Sequence, residues 1–150
     1  RNYEYTFKPI TPDMVPEVME FQHAWCQANN GCTDKGLLQE NHGILRILSN
    51  WEKIPRIAGG VIEVSGKIAA YTIGELSCHT IFVHFEKASL GYAAAYQVIN
   101  REFMCHMLEK HPELAVANRE EDMNDPGLRE AKMSYLPTDF IKKYRVRIKF

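Results

Sequence analysis

The sequence predicts an α/β (α+β) domain in which a largely antiparallel sheet is flanked by helices. Three observations carry the prediction. Apolar residues recur at helical spacing through residues 18–51 and at strand spacing from residue 57 onward. Two strand-like segments flank Ser65-Gly66, a two-residue turn of the tight-hairpin kind. A further helical stretch then separates this meander from a last group of short elements, with no low-complexity linker between them.

Each element has a local reason. Tyr3-Glu4-Tyr5-Thr6-Phe7 alternates apolar and polar side chains and reads as a strand. Thr11-Pro12-Asp13 starts a helix: Thr11 can cap it, Pro12 suits the first helical position, and Asp13 favours the positive end of the dipole. Val18, Phe21, Trp25 and Ala28 form one apolar stripe, which Asn29-Asn30-Gly31 ends. Asp34 can cap a second helix carrying Leu37, Leu38, Asn41, Ile44, Leu45, Leu48 and Trp51, and Pro55 stops it. Residues 57–64, 67–76 and 80–85 then form a three-stranded meander. His84 interrupts an apolar run and is expected to face opposite to Val83 and Phe85. Gly91 precedes a helix over residues 92–110 with Tyr96, Ile99, Phe103 and Met107 on one stripe, ended by Pro112. Residues 114–117 read as a short buried strand. Asp125-Pro126 opens another helix with Leu128, Ala131 and Tyr135 on one face. Residues 138–144 are expected to make a helical turn and residues 145–150 a half-buried terminal strand.

Composition narrows the function classes. At 150 residues the chain suits one domain, and 45% hydrophobic with 11% aromatic residues excludes disorder. Eighteen Lys and Arg against nineteen Asp and Glu leave a net charge of −1, which argues against a strongly basic nucleic-acid module. Cys26, Cys32, Cys78 and Cys105 show no zinc-ligand spacing and, without a signal peptide, read as reduced thiols of a cytoplasmic protein; no metal is expected. No apolar run reaches the ~18–20 residues that span a bilayer. The first residue is Arg1 rather than Met.

The element order resembles the GNAT (Gcn5-related N-acetyltransferase) fold, a mixed, mostly antiparallel central sheet flanked by helices. In that family a Gln/Arg-x-x-Gly-x-Gly/Ala signature at a helix start holds the pyrophosphate of the acyl donor. The matching segment here is Ala88-Ser89-Leu90-Gly91-Tyr92-Ala93: Gly91 and Ala93 fit, Ala88 replaces the basic or amide residue, and Lys87 stands beside it. Small residues let backbone N–H groups approach phosphate, and a helix N-terminus favours an anion. The resemblance implies Lys87, Gly91, Tyr92 and Ala93 as the cofactor-binding set, with acyl-CoA such as acetyl-CoA as the donor.

Longer stretches are similar to the phosphatidylglycerol lysyltransferase C-terminal domain family of bacterial proteins. They are Phe85-Glu86-Lys87-Ala88, Tyr96-Gln97-x-x-Asn100-x-Glu102-Phe103, Asn118-Arg119-Glu120-Glu121-Asp122 and Gly127-Leu128-Arg129-x-Ala131-Lys132-x-Ser134-Tyr135-x-Pro137. This resemblance implies acyl or aminoacyl transfer from acyl-CoA or aminoacyl-tRNA to an amine or hydroxyl, with a small molecule or lipid as acceptor. It also implies that residues 1–150 are one GNAT-like domain, the C-terminal half of a two-domain protein whose second GNAT-like domain is the missing partner. The opposed reading is a non-catalytic GNAT-like module that binds a ligand or packs against that domain.

Candidate site residues follow from chemistry. Glu120, Glu121 and Asp122 are three acids in a row on a loop, and a carboxylate with a raised pKa can serve as general base. The structural alternative is a loop ordered by Arg119 and Arg129, with Asp125 as a helix cap. Tyr135 occupies the chain position from which acetyltransferases protonate a departing thiolate; alternatively it packs under Leu128 and Ala131. Arg119, Arg129, Lys132 and His84 are candidate substrate-binding residues. The tail Lys142-Lys143-Tyr144-Arg145-Val146-Arg147-Ile148-Lys149 carries five bases, suited to an anionic head group, a tRNA end or the solvated face of an edge strand.

Overall fold

The computed structural model describes residues 3–144 and 146–149. The chain forms two compact units, Arg1–Asn118 and Arg119–Phe150.

The first unit is built on a five-stranded sheet of order β1-β2-β3-β4-β5: β1 (Thr6–Pro9), β2 (Ile57–Val64), β3 (Lys67–Ser77), β4 (Thr80–Ala88) and β5 (Val116–Asn118). Strands β1 to β4 pair antiparallel, and β5 joins parallel to β4. The β2–β3 hairpin turns on Ser65 (φ 52°) and Gly66 (φ 75°), two successive left-handed residues that match the twist of the strands they join. Gly59 permits close approach within the sheet. A Cβ there would lie 2.7 Å from the Thr72 carbonyl oxygen and 2.9 Å from the Trp51 ring.

Helices cover both faces. On one side lie α1 (Val15–Ala28) and α2 (Lys35–Leu48), closing a core of Val18, Ile44, Leu48, Val61, Tyr71 and Ile73. The Asp34 carboxylate caps α2, accepting from Gly36 N–H (2.8 Å) and Leu37 N–H (3.2 Å), as the sequence indicates. On the other side α3 (Ala95–Lys110) places Ile99 against Ile62 and Ala70, and Phe103 and Met107 against Ile81 and Leu114. Among the described residues no helix is long and apolar enough to cross a membrane.

Several expectations are corrected. The Thr11 side chain caps nothing; Pro12–Met14 form a 3₁₀ turn, so α1 starts at Val15. Cys26 and Cys32 form a disulfide rather than staying reduced. After α1 ends, Asn30, Gly31 and Cys32 all adopt positive φ and turn the chain back, so the two Cα atoms lie 5.1 Å apart. Cys78 and Cys105 are free and exposed. Helix α3 starts three residues later than expected, because residues 89–94 form turns that end in left-handed Ala94 (φ 61°).

The second unit contains α4 (Pro126–Met133) and, among the described residues, otherwise only turns and irregular chain. Asp125 accepts from Leu128 N–H at 2.7 Å and caps α4. The helical turn expected over residues 138–144 does not form, and residues 146–149 are in no strand. Arg145 and Phe150 of the expected strand and basic stripe lie outside the described residues, as does Arg1. A strand needs a ladder partner as well as alternation. Here Phe140, Ile141, Val146 and Ile148 are largely exposed instead.

Candidate functional site

Strands β4 and β5 share only a short ladder. Thr80, Ile81 and Phe82 of β4 pair with Val116, Ala117 and Asn118, and β5 ends there. β4 runs on for six more residues with β3 on one side, so its other backbone edge passes beyond β5. Directly after β4 come Ser89 to Ala94 and the start of α3. No side chain caps that helix; Ala95 N–H donates back to the Tyr92 carbonyl at 3.4 Å and Tyr92 N–H to the Ser89 carbonyl at 3.3 Å. Gly91 N–H is 3.3 Å from Ser89 Oγ, and a Cβ at Gly91 would meet only that atom, at 3.6 Å. Tyr92 packs edge-on to Tyr3, with ring centroids 5.1 Å apart. The turn therefore combines small, open backbone at Gly91 and Ala93 with one aromatic wall.

Lys87, expected with this turn, is engaged elsewhere. Its ammonium meets Glu40 of α2 at 2.6 Å and lies 4.4 Å from the centre of the Trp25 ring of α1, on the sheet face opposite α3. It is 6% exposed, and its charge is held by Glu40 instead of being presented beside Gly91. Trp25 Nε1 donates to the Ala88 carbonyl at 3.1 Å, which ties α1 to the end of β4. Next to this pair lies a buried polar chain. Tyr71 donates to Gln22 at 2.6 Å, and Gln22 donates to Asn41 at 2.9 Å. Burial, reinforced by the Glu40 charge, pushes the Tyr71 hydroxyl pKa well up, so this phenol stays protonated.

His84 occupies a β-bulge. Val83 pairs with Gly74 and Phe85 with Ile73, so His84 is the extra residue between them. Simple alternation fails here, and Phe85 packs on the core beneath α1 and α2. The imidazole Nε2 lies 3.3 Å from a Glu75 oxygen. The ring stacks on Phe82 (centroids 6.4 Å apart, planes 17° apart) and leans on Phe85.

In the second unit the acidic loop is organised by its own bases. Asp122 pairs with Arg129 and accepts from Asn124 N–H at 2.9 Å. The Arg129 contact first, then that N–H, holds the Asp122 carboxyl below its usual pKa, the opposite of what a general base needs. Lys143 reaches Glu120 at 3.1 Å and Glu121 at 3.7 Å, and these acids, Glu120 foremost, raise its pKa. Lys132 donates to the carbonyls of Arg119 and Glu121. The Arg119 guanidinium lies over the Tyr135 ring, 4.0 Å from its centre. The predicted residues thus fall into two sets: Lys87, Gly91, Tyr92, Ala93 and His84 in the first unit, and Arg119, Glu120, Glu121, Asp122, Arg129, Lys132 and Tyr135 in the second.

Sequence reasoning missed Glu40, Glu75, Gln22 and Trp25 as polar partners. Asn41 within an otherwise apolar helical stripe was the one available signal, since a polar residue there needs a buried partner. Among the described residues no group of three or more His, Cys, Asp or Glu is arranged to hold a metal ion.

Comparison with known proteins gives the family and the fold. The family model described as phosphatidylglycerol lysyltransferase, C-terminal, matches residues 1–147. A conserved protein of unknown function from Bacteroides thetaiotaomicron VPI-5482 is 37% identical with a TM-score of 0.82 over 91% of this chain, which spans 46% of that one. The ribosomal-protein-alanine N-acetyltransferase of Brucella melitensis biovar Abortus 2308 is 7% identical with a TM-score of 0.68, covering 97% of this chain and 100% of its own. AAC(6')-Iy, solved with a bisubstrate analogue of CoA and acetylneamine, is 9% identical with a TM-score of 0.61, covering 97% and 99%. The likeness to these two acetyltransferases is one of fold, and it shows the GNAT fold. No curated protein matches the sequence.

Proposed function

The chain belongs to the phosphatidylglycerol lysyltransferase C-terminal domain family, and from that premise we propose that it moves an acyl or aminoacyl group from a carrier to an amine or hydroxyl acceptor. The observation that carries the proposal is the edge of β4. It continues six residues past its pairing with β5 and leads into an uncapped helix start. An extended carrier arm can pair with such an edge, and the carrier's phosphates suit the turn of Gly91, Tyr92 and Ala93, with its small residues, and the uncapped start of α3. Acyl-CoA fits this arrangement. AAC(6')-Iy, of the same fold, was solved with a CoA analogue. Aminoacyl-tRNA is the other carrier, on the strength of the family's description. A net charge of −1 gives it little electrostatic help from this chain alone. Both carriers are cytoplasmic, and we place the protein there. By residue type, the proposal assigns Glu120, Glu121 or Asp122 to orienting the acceptor, a small molecule or a lipid, and Tyr135 to the leaving group.

The chain spans 46% of its 37%-identical relative, which supports a second domain in the native polypeptide. The exposed Leu136, Phe140, Ile141 and Val146 are apolar surface for such a domain to cover. A second reading, a non-catalytic binding or packing module, is favoured by two observations. Ala88 stands where the GNAT signature has a basic or amide residue, and Lys87 is taken up by Glu40.

Thermal unfolding with CoA, acetyl-CoA and lysyl-tRNA tests the proposal. A carrier at about 100 times its Kd adds about 2.7 kcal/mol, or roughly 5–10 °C at this chain length. No stabilisation by any carrier, together with unchanged full-length activity after replacing Glu120, Glu121 and Tyr135, refutes transfer.

A further inference from the structure

We propose that Cys26 and Cys32 form a dithiol–disulfide switch that sets the affinity of the turn after β4 for its carrier, with Trp25 as the mechanical link. The inference rests on the carrier-binding reading above.

Compartment and placement both favour a reversible bond. Disulfides of cytoplasmic proteins are mostly transient, serving catalysis or redox sensing. This one closes the short ring of residues 26–32 between α1 and α2. Cys26 and Cys32 are buried, yet Gln27, Ala28, Asn30, Gly31 and Thr33 around them are exposed. A small opening of this surface loop therefore admits a reductant to the sulfurs.

A chain of contacts carries the state of the pair to the turn. Asn30 (φ 57°) and Cys32 (φ 52°) hold left-handed backbone, which residues with a Cβ disfavour. The disulfide keeps Cys32 in place, and reduction lets the loop relax. Asn29, inside the ring, grips the Trp25 carbonyl with its backbone N–H at 3.1 Å and with Nδ2 at 2.8 Å. The Trp25 indole in turn donates to the Ala88 carbonyl at 3.1 Å. Ala88 is the last residue of β4, and the turn hangs from it. Its first residue, Ser89, is held to the sheet by one N–H bond to the Ala69 carbonyl, at 2.9 Å. A ring that loosens at residues 29–32 therefore releases Trp25, and with it the anchored end of β4.

In the exchange itself a thiolate of a dithiol reductant attacks one of the two sulfurs and forms a mixed disulfide. The other cysteine leaves as a thiolate and takes up a proton. The reductant's second thiol then closes its own disulfide and releases the first cysteine as a thiol. The pair is reduced by two electrons and the dithiol is oxidised by two. By linkage, a carrier that binds the disulfide form more tightly makes that disulfide harder to reduce by the same factor.

Two measurements test this. The first needs no carrier: amide exchange in the native protein, oxidised and after dithiothreitol. Reduction should speed exchange at Ser89 and Tyr92, but not at His111, whose N–H bonds to the Met107 carbonyl at the far end of α3. Unchanged exchange at Ser89 and Tyr92, or a pair that dithiothreitol leaves oxidised in the native protein, overturns the inference. The second is calorimetry with desulfo-CoA, which lacks the thiol that would itself exchange, and with a lysylated tRNA acceptor stem. Reduction should raise the carrier's Kd at least about fivefold, the low end of ordinary allosteric coupling. The Cys26→Ser/Cys32→Ser variant should bind like the reduced wild type and ignore oxidant. Trp25→Phe keeps a ring but no donor for Ala88, and should bind weakly in both redox states. Equal affinity of the oxidised and reduced wild type, or a redox difference that persists in Trp25→Phe, overturns the inference and leaves the transferase reading intact. Failure of that reading shows differently, as neither carrier binding either form, and it removes the carrier control with it.

Discussion

Glu40→Gln should destabilise the protein more than Lys87→Met, although the two substitutions cut the same 2.6 Å ion pair. The asymmetry follows from burial. The Lys87 side chain is 8% exposed and that of Glu40 is 32% exposed. Removing the Glu40 charge strands an ammonium whose remaining partner is the Trp25 ring, 4.4 Å from its nitrogen. Breaking a fully buried pair in this way costs about 3–5 kcal/mol, and the partial exposure of Glu40 reduces the expectation to about 2–3 kcal/mol. Lys87→Met instead keeps an unbranched side chain under Trp25 and leaves Glu40 able to turn toward water. The loss is then about 1 kcal/mol, mostly of cation–π attraction. At about 2–4 °C per kcal/mol for a chain of this length, the melting temperature should fall by about 5–10 °C for Glu40→Gln and about 2–4 °C for Lys87→Met. Urea titration should show both changes at constant m, and the double variant should resemble Lys87→Met alone. Because Lys87 faces α1 and α2, Lys87→Met should also retain its stabilisation by CoA. A larger loss for Lys87→Met than for Glu40→Gln, or loss of that stabilisation, would refute the reasoning.

Four further outcomes are expected. Phe103→Ala, at a fully buried ring between α3 and the sheet, should cost about 3–5 kcal/mol in urea unfolding. Reducing the Cys26–Cys32 disulfide, or replacing both residues by Ser, should remove about 2 kcal/mol, the loop-closure value for so short a ring, read as a lower melting temperature. Gly91→Ala should leave stability within about 0.5 kcal/mol, since nothing lies closer than 3.6 Å to the added methyl, while weakening carrier binding in calorimetry. The Asp122–Arg129 contact depresses the folded-state carboxyl pKa, so its contribution is full above about pH 4 and is lost as pH falls through the depressed value. Amide exchange at Asn124 should therefore accelerate with acidification in the wild type relative to Asp122→Asn.

The sequence showed the elements wherever periodicity and turn chemistry agree. Ser65-Gly66 marked the hairpin, Asp34 and Asp125 marked helix starts, and the stripe Ile99, Phe103 and Met107 marked the buried face of α3. It was silent where a residue's role depends on a partner distant in the chain. Lys87 looks like a phosphate ligand beside Ala88 until Glu40, 47 residues away, takes its charge. Cys26 and Cys32 looked free because three consecutive left-handed residues between α1 and α2 are invisible to composition. His84 stands out within its strand and Glu75 does not: the bulge that brings them together is a register shift between two strands, which no single-strand pattern reveals. The basic and apolar alternation after residue 140 has the spacing of a strand, yet the described residues there join no ladder and are exposed.

The central claim is that a carrier lies along β4 beyond its pairing with β5, with its phosphates at the start of α3. Amide chemical-shift mapping during titration with CoA, and in parallel with a lysylated tRNA acceptor stem, tests it most directly. For at least one carrier, the account predicts perturbations at residues 83–88 of β4 and 91–97 at the start of α3. No perturbation with either carrier, or perturbation centred on Tyr5, Glu63 and Ser65 in the open depression beside β1, would contradict it.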